Sequence, residues 1–176
     1  MRTLIDHLSN YADYHRDRRN ILTHLVGVPL IVSAVAILLS RPALDVGGCA
    51  LSPALLVVGA FIVFYWRLDW RFGAAMTVLL APTIVLGALL AQESTAVWAG
   101  TGVGMFVGGW IIQFIGHAWE GRKPAFVDDL VGLVVGPLFV VAECAFALGL
   151  RPEVHAEVLR RSGPTRIGRP SQLPAA

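Results

Sequence analysis

Residues 110–125 read WIIQFIGHAWEGRKPA and close a long apolar run. They bring Gln113, His117 and Glu120 into a chain that is otherwise nearly free of polar groups at such positions. In a helix, spacings of four and three residues place these side chains on one face. Because an ionisable residue at membrane depth is costly, the pattern indicates a functional site.

A counterpart lies near the start of the chain, where residues 14–29 read YHRDRRNILTHLVGVP. Asn20 and His24 are again four residues apart, at the beginning of the first apolar run. We expect the two polar helix ends to meet and to hold a metal ion.

The composition predicts a membrane protein. Of 176 residues, 56% are hydrophobic and only 15% are charged, whereas soluble domains carry about 25% charged residues. Four or five apolar runs approach the roughly 20 residues that span a bilayer. The predicted fold is therefore all-α, a polytopic transmembrane bundle of four to five apolar helices. A net charge of +2 is too small to indicate nucleic-acid binding, and Cys49 and Cys144 form no zinc or redox motif.

An amphipathic helix is predicted to precede the bundle, over residues 1–19, and to lie in the membrane interface. It would carry His7, Tyr11 and His15 at successive four-residue spacings. The apolar runs are predicted at residues 21–40, 50–66, 72–91, 96–119 and 130–150. We expect residues 1–150 to form one membrane domain and residues 151–176 a flexible tail rich in arginine and proline. In the fourth run, Gly104 and Gly108 suit close helix packing.

Charge distribution predicts the topology. With the N-terminus inside, basic residues gather at the inner ends of the first four runs, and only Arg41 lies outside. A full fifth span would put the tail arginines outside. We therefore expect an interfacial or re-entrant last segment, with both termini inside. His24 and His117 would then lie about one turn from the same, cytoplasmic, face. The membrane would be the bacterial inner membrane, or the endoplasmic reticulum in a eukaryote.

The histidines suggest iron chemistry. His15, His24 and His117 could supply three neutral imidazole ligands, and Glu120 could be a fourth ligand or a partner that supports them. Two or three histidines with a carboxylate and open positions suit non-haem Fe(II) and O₂. The role of His7, outside this set, and that of Glu143, within the last run, stay open.

Other polar groups suit a fatty acid with its head at the metal. Asn20, Gln113 and Glu120 are the candidate catalytic residues, and the two amides could orient imidazoles or bind a polar substrate head. Four basic residues are expected to ring the mouth of the site and to attract a carboxylate: Arg16, Arg19, Arg122 and Lys123. Hydrocarbon would surround the rest of the substrate, and membrane lipid would be a partner. The sequence leaves homo-oligomer formation open.

Other readings compete. The histidines could only tie helices together in a non-catalytic, transporter-like or scaffold bundle, whose hinges would be Pro29, Pro82 and Pro137. Alternatively, His24 and His117 could be the axial ligands of a b-type haem. A lipid hydrolase is disfavoured because the serines Ser9, Ser33 and Ser52 lie in no nucleophile-elbow context.

Two motifs carry a family resemblance. The first stretch resembles the signature Y-H-x4-N-x3-H-x2-G-x-P, and the second resembles Q-F-x-G-H-x2-E-x-R-x-P-A. Both are similar to motifs of the Mpo1-like family, formerly a domain of unknown function. The resemblance covers about residues 1–150, and places His15, His24, His117 and Glu120 on the motif histidines and acid.

The resemblance implies an Fe(II)-dependent dioxygenase of 2-hydroxy fatty acids. A 2-hydroxy acid and O₂ would give the acid that is one carbon shorter, CO₂ and water. This equation balances without an external reductant, since the substrate supplies all four electrons.

Overall fold

The computed structural model describes residues 2–41, 43–47 and 49–168, and confirms an all-α helical bundle. The helices are α1 (Leu4–Ala12), α2 (Arg18–Leu38), α3 (Pro53–Leu68), α4 (Trp70–Ala91), α5 (Thr95–Glu120), α6 (Val131–Ala147) and α7 (Pro152–Ser162). A 3₁₀ turn, Ala125–Val127, precedes α6. An antiparallel hairpin of β1 (Leu44–Val46) and β2 (Cys49–Leu51) joins α2 to α3, between the first predicted apolar run and the start of the second.

Three helices are long and apolar enough to cross a bilayer, namely α2, α4 and α5. The apolar helix α3 is shorter, with 16 residues, and α6 meets α7 at a bend of 114°. These features are compatible with a membrane protein. Pro29, Pro82 and Pro137 each lie inside a continuous helix, so they do not divide the helices as broken-helix hinges would.

The N-terminal helix is shorter than predicted. It begins at a capping box between Thr3 and Asp6 and ends at Ala12 rather than near residue 19. Asp17 then starts α2, because its side chain accepts a hydrogen bond from the Arg19 amide. His15 therefore lies in the loop between α1 and α2, and its side chain is buried.

Helices α2 and α5 approach closely along glycines spaced seven residues apart. A Cβ atom at Gly109 would meet the Ile31 side chain at 2.7 Å and the Gly27 carbonyl at 3.0 Å, and Gly102 and Gly116 are similarly close to α2. The glycines Gly104 and Gly108, which the sequence suggested for packing, meet no described atom within 4 Å of such a Cβ. Helix α5 thus packs closely on α2 through the face that carries Gly102, Gly109 and Gly116, and not through the face that carries Gly104 and Gly108.

Helix α6 lies across one end of the bundle. At its start, the Tyr14 hydroxyl donates to Asp128 at 2.8 Å, close to where α2 begins. Just beyond its end, Arg151 pairs with Asp69 at 2.9 Å, in the turn between α3 and α4. Both contacts lie at the same end of the bundle, since α3 returns antiparallel to α2. Helix α6 therefore begins and ends on one side.

Part of the segment predicted to be a flexible tail is ordered. Helix α7 packs on α1 through buried Val154 and Val158, and Arg161 pairs with Asp6 at 2.8 Å. After α7 the chain runs beside the loop before α2, where the Arg166 amide donates to the Arg16 carbonyl at 2.8 Å. Residues 169–176 lie outside the described part.

Candidate metal centre

The fold brings together three histidines from three separate elements. His15 comes from the loop after α1, His24 from the second turn of α2, and His117 from the last turn of α5. They are 0%, 2% and 6% exposed, and one nitrogen of each lies within 4.8 Å of the other two. The predicted meeting of the two polar helix ends is thus observed, with His15 as a third member.

Hydrogen bonds define the protonation of two of these rings. The Nδ1–H of His15 donates to the Tyr11 carbonyl at 2.7 Å, and that of His24 donates to the Asn20 carbonyl at 2.8 Å. In a neutral imidazole the other nitrogen, Nε2, then carries a bare lone pair. Burial holds the pKa of His15 well below its ordinary value, which keeps that ring neutral.

The two bare nitrogens face each other. His15 Nε2 and His24 Nε2 are 2.9 Å apart, so two lone pairs meet unless a proton or a cation lies between them. The buried Nδ1 of His117 makes no hydrogen bond within 3.5 Å in the described part of the chain. Neutral imidazoles whose remaining nitrogen is held by a carbonyl are the usual form of histidine ligands. This donor set fits a transition-metal ion.

Packing fixes the rings in place. The Tyr11 ring stacks on His15, with centroids 4.2 Å apart and planes within 5°. On the other side, α5 reaches α2 so closely at Gly116 that a Cβ there would overlap Thr23 and Asn20. Since the backbone carbonyl of Asn20 orients His24, this glycine lets the helix that carries His117 approach the two other histidines.

Glu120 lies beside the histidines and outside the three-histidine cluster. One of its oxygens accepts from the Asp17 amide at 2.7 Å and the Asn20 side chain at 3.2 Å. The other accepts from Arg166 at 3.1 Å. The sequence left two roles open for Glu120, a fourth metal ligand or a supporting partner. These bonds favour the supporting role, because they tie Glu120 to the start of α2.

The two amides contribute differently. Asn20 is fully buried, and it is its backbone carbonyl rather than its side chain that orients His24. Gln113 lines the cavity beside His24 and His117. Its buried Oε1 has no hydrogen-bond partner among the described residues, and the same holds for Asn20 Oδ1. Gln113 therefore offers a free polar atom to a ligand.

The four basic residues expected at the mouth are engaged elsewhere. Arg16 is buried and donates to the carbonyls of Ala12, His15 and Gly163. Arg19 pairs with Asp17, Arg122 donates to the Asp13 carbonyl, and Lys123 pairs with Asp128. None of the four is among the described residues that line the cavity beside the histidines. Substrate binding by these residues stays a prediction.

A small cavity opens at the cluster. It has a volume of about 60 Å³, and His24, His117 and Gln113 lie among its lining residues with Tyr11 and Trp110. A haem macrocycle does not fit this volume, which equals a few water molecules. The ring centroids of His24 and His117, the two expected axial ligands, are only 5.1 Å apart, which also leaves no room for a macrocycle between them.

The sequence analysis did not predict some of the residues that support the site. Arg166 binds Glu120 from beyond the predicted domain, and no local pattern marks it. Asp17 caps α2, and its position three residues before Asn20 was a readable N-cap signal. His7 packs against Phe64 outside the cluster. Glu143 lines a separate cavity with Arg16.

Comparison with known proteins places the chain in a family. The family model described as 2-hydroxy-palmitic acid dioxygenase Mpo1-like matches residues 1–148. The chain is 34% identical over 151 residues to the 2-hydroxy-palmitic acid dioxygenase MPO1 of Saccharomyces cerevisiae, covering 85% of this chain and 83% of that protein. No solved structure matches. With both histidine motifs inside the matched region, the chain belongs to the Mpo1-like family.

Proposed function

We propose that the protein is a non-haem Fe(II) dioxygenase that shortens 2-hydroxy fatty acids by one carbon. The observation that carries this proposal is the pair of buried imidazole Nε2 atoms 2.9 Å apart, with His117 beside them. The yeast relative is named for 2-hydroxy-palmitic acid, which indicates the substrate class. The reaction consumes a 2-hydroxy acid and O₂ and yields the shorter acid, CO₂ and water.

Three residues would hold the iron: His15, His24 and His117. When bound, Fe(II) supplies the one-electron chemistry that O₂ requires, and three protein ligands leave positions open for substrate. The chain itself keeps the ligands in place through the carbonyls of Tyr11 and Asn20. Burial of the cluster excludes water from the reacting centre.

Gln113 is proposed to bind the polar head of the substrate. Its Oε1 is buried and has no partner among the described residues, and Gln113 lines the same cavity as His24 and His117. A carboxamide oxygen accepts a hydrogen bond from the 2-hydroxyl group and would orient the C1–C2 bond for cleavage. The membrane carries the substrate, and the site is proposed to lie at the cytoplasmic face, where positively charged residues gather.

A structural role for the histidines is the competing function. It would require the His15–His24 contact to be an ordinary hydrogen bond. Both Nδ1 atoms face carbonyl oxygens, so one ring would have to be doubly protonated in a buried site with other histidines around it. Burial opposes that charge.

The test is an assay on the purified protein in detergent. Incubation with Fe(II), air and 2-hydroxypalmitic acid, without added reductant, should give pentadecanoic acid and CO₂ in equal amounts with the O₂ consumed. Substitution His24→Ala should abolish product, whereas His7→Ala, outside the cluster, should retain it. Loss in both variants, or a requirement for added reductant, would contradict the proposal.

A further inference from the structure

A second, larger cavity lies next to the one beside the histidines. It has a volume of about 270 Å³ and an almost entirely apolar lining. Five residues line both cavities: Ile31, Val32, Trp110, Leu133 and Pro137. The two cavities are therefore adjacent spaces that share a wall, and the larger one leads away from the cluster into the bundle.

One stripe of α2 follows the whole path. The lining residues of this helix are His24, Val28, Ile31, Val32, Val35 and Ala36. Leu39, the residue that follows the end of α2, continues the same stripe. Their spacing of three and four residues marks a single helix face. His24 lies at the polar end and Leu39 at the other. At a rise of 1.5 Å per residue, the separation of these two positions is about 22 Å.

Small and branched side chains line the far end of the larger cavity. The Ala54 amide donates to the Leu39 carbonyl at 3.1 Å, which joins the start of α3 to the end of α2. Ala36 and Ala54 are both buried there, at 1% and 2% exposure. Leu80 of α4 completes this wall. One end of this path is thus lined by His24 and His117, and the other end by apolar side chains.

We propose that this path holds the alkyl chain of the 2-hydroxy acid, and that its far end, lined by Leu39, Ala54 and Leu80, selects the chain length. This inference rests on the proposed function for the identity of the head group. One residue of an extended polypeptide contributes three backbone bonds and about 3.5 Å of length. An extended alkyl chain has similar bonds and therefore covers about 1.2 Å per carbon. A path of about 22 Å then accommodates about 18 carbons.

The alternative position for the alkyl chain is the surrounding lipid. Val26 is on the opposite, outward side of α2 and is 54% exposed. An alkyl chain that extended directly into the lipid would be affected by substitutions on that side. An alkyl chain inside the path would be affected by substitutions at Val32 or Ala36, at depths that differ by one helical turn.

The test places the same bulky residue at these depths. Val32→Phe should limit the accepted acids to about 10 carbons and Ala36→Phe to about 15, because these positions lie about 12 and 18 Å from His24. Val26→Phe is the matched control and should keep the wild-type range. Leu39→Ala should extend the range to longer acids, a gain that a misfolded variant cannot mimic.

Two readouts separate this inference from the proposed reaction. Product formation is measured across a series of 2-hydroxy acids, and binding is measured by displacement of a fluorescent fatty acid with saturated acids of graded length. Binding limits that follow depth, without product in the wild type, would support the path and end the dioxygenase proposal. Binding and product profiles of the Val32 and Ala36 variants identical to that of Val26→Phe would overturn the path.

Discussion

Gly116 offers the sharpest test of how the helices build the site. A Cβ atom at this position would overlap the Thr23 hydroxyl and the Asn20 carboxamide oxygen, both on α2. Gly116→Ala must therefore push α5 from α2 or displace Asn20. Overpacking of this kind costs about 1–3 kcal/mol. Since the Asn20 carbonyl orients His24 at 2.8 Å, the strain is expected to fall on the metal ligands.

The expected effect is weaker iron binding. If relief of the clash displaces Asn20, a cost of about 1–3 kcal/mol corresponds to an iron affinity about 5- to 150-fold lower. The matched control is Gly108→Ala on the same helix, where a Cβ meets no described atom within 4 Å. That substitution should leave iron affinity unchanged and stabilise the helix by up to about 1 kcal/mol.

The assay is a titration of Fe(II) against a competing chelator under anaerobic conditions, with helix content checked by circular dichroism. Equal iron affinities in the Gly116 and Gly108 variants, with both folded, would refute the reasoning. The close approach of α2 and α5 would then not determine the geometry of the site.

Three further predictions concern the parts around the site. Truncation after Ser162 removes Arg166 and its bond to Glu120, so iron affinity should fall while helix content stays; unchanged affinity would exclude a role for this segment. Bonds from Thr3 and the ion pair with Arg161 hold the pKa of Asp6 at about 2. Because this lies below the unfolded value near 3.9, the stabilisation is present above about pH 4 and lost as the pH falls towards 2. Thermal unfolding should therefore show a smaller acid-induced decrease in Asp6→Asn than in wild type, and equal decreases would contradict this assignment. Finally, because both ends of α6 lie on one side, single cysteines at Arg2 and Ser162 should label from the same side of a vesicle and one at Asp45 from the other; labelling of Arg2 and Ser162 from opposite sides would contradict this placement of α6.

Sequence alone predicted the helical bundle and the meeting of His24 with His117. Long apolar runs predict helices. Because an odd number of chain reversals separates the first run from the fourth, the start of one and the end of the other lie on the same side. His15 was named as a candidate ligand, but its position in a loop was not predicted. The sequence analysis did not use the N-cap signal at Asp17, which starts α2 and leaves His15 between two helices.

The supporting contacts were harder to predict because they depend on long-range packing. Charge and spacing put Arg16 and Arg122 at a substrate mouth, yet each is engaged by backbone carbonyls that no sequence pattern identifies. Likewise, Gly104 and Gly108 match the four-residue packing motif, whereas Gly109 and Gly116, which meet α2, are seven residues apart. Only the orientation of α5 decides which glycines face α2.

The central claim is that three buried histidines hold one catalytic iron site, and metal content tests it most directly. Bound iron is measured per chain in purified wild type and in His117→Ala. The account predicts near-stoichiometric iron in the wild type and its loss in the variant. A fully folded wild type that binds no iron after anaerobic reconstitution with Fe(II) would contradict it, and the histidines would then serve only to join the helices.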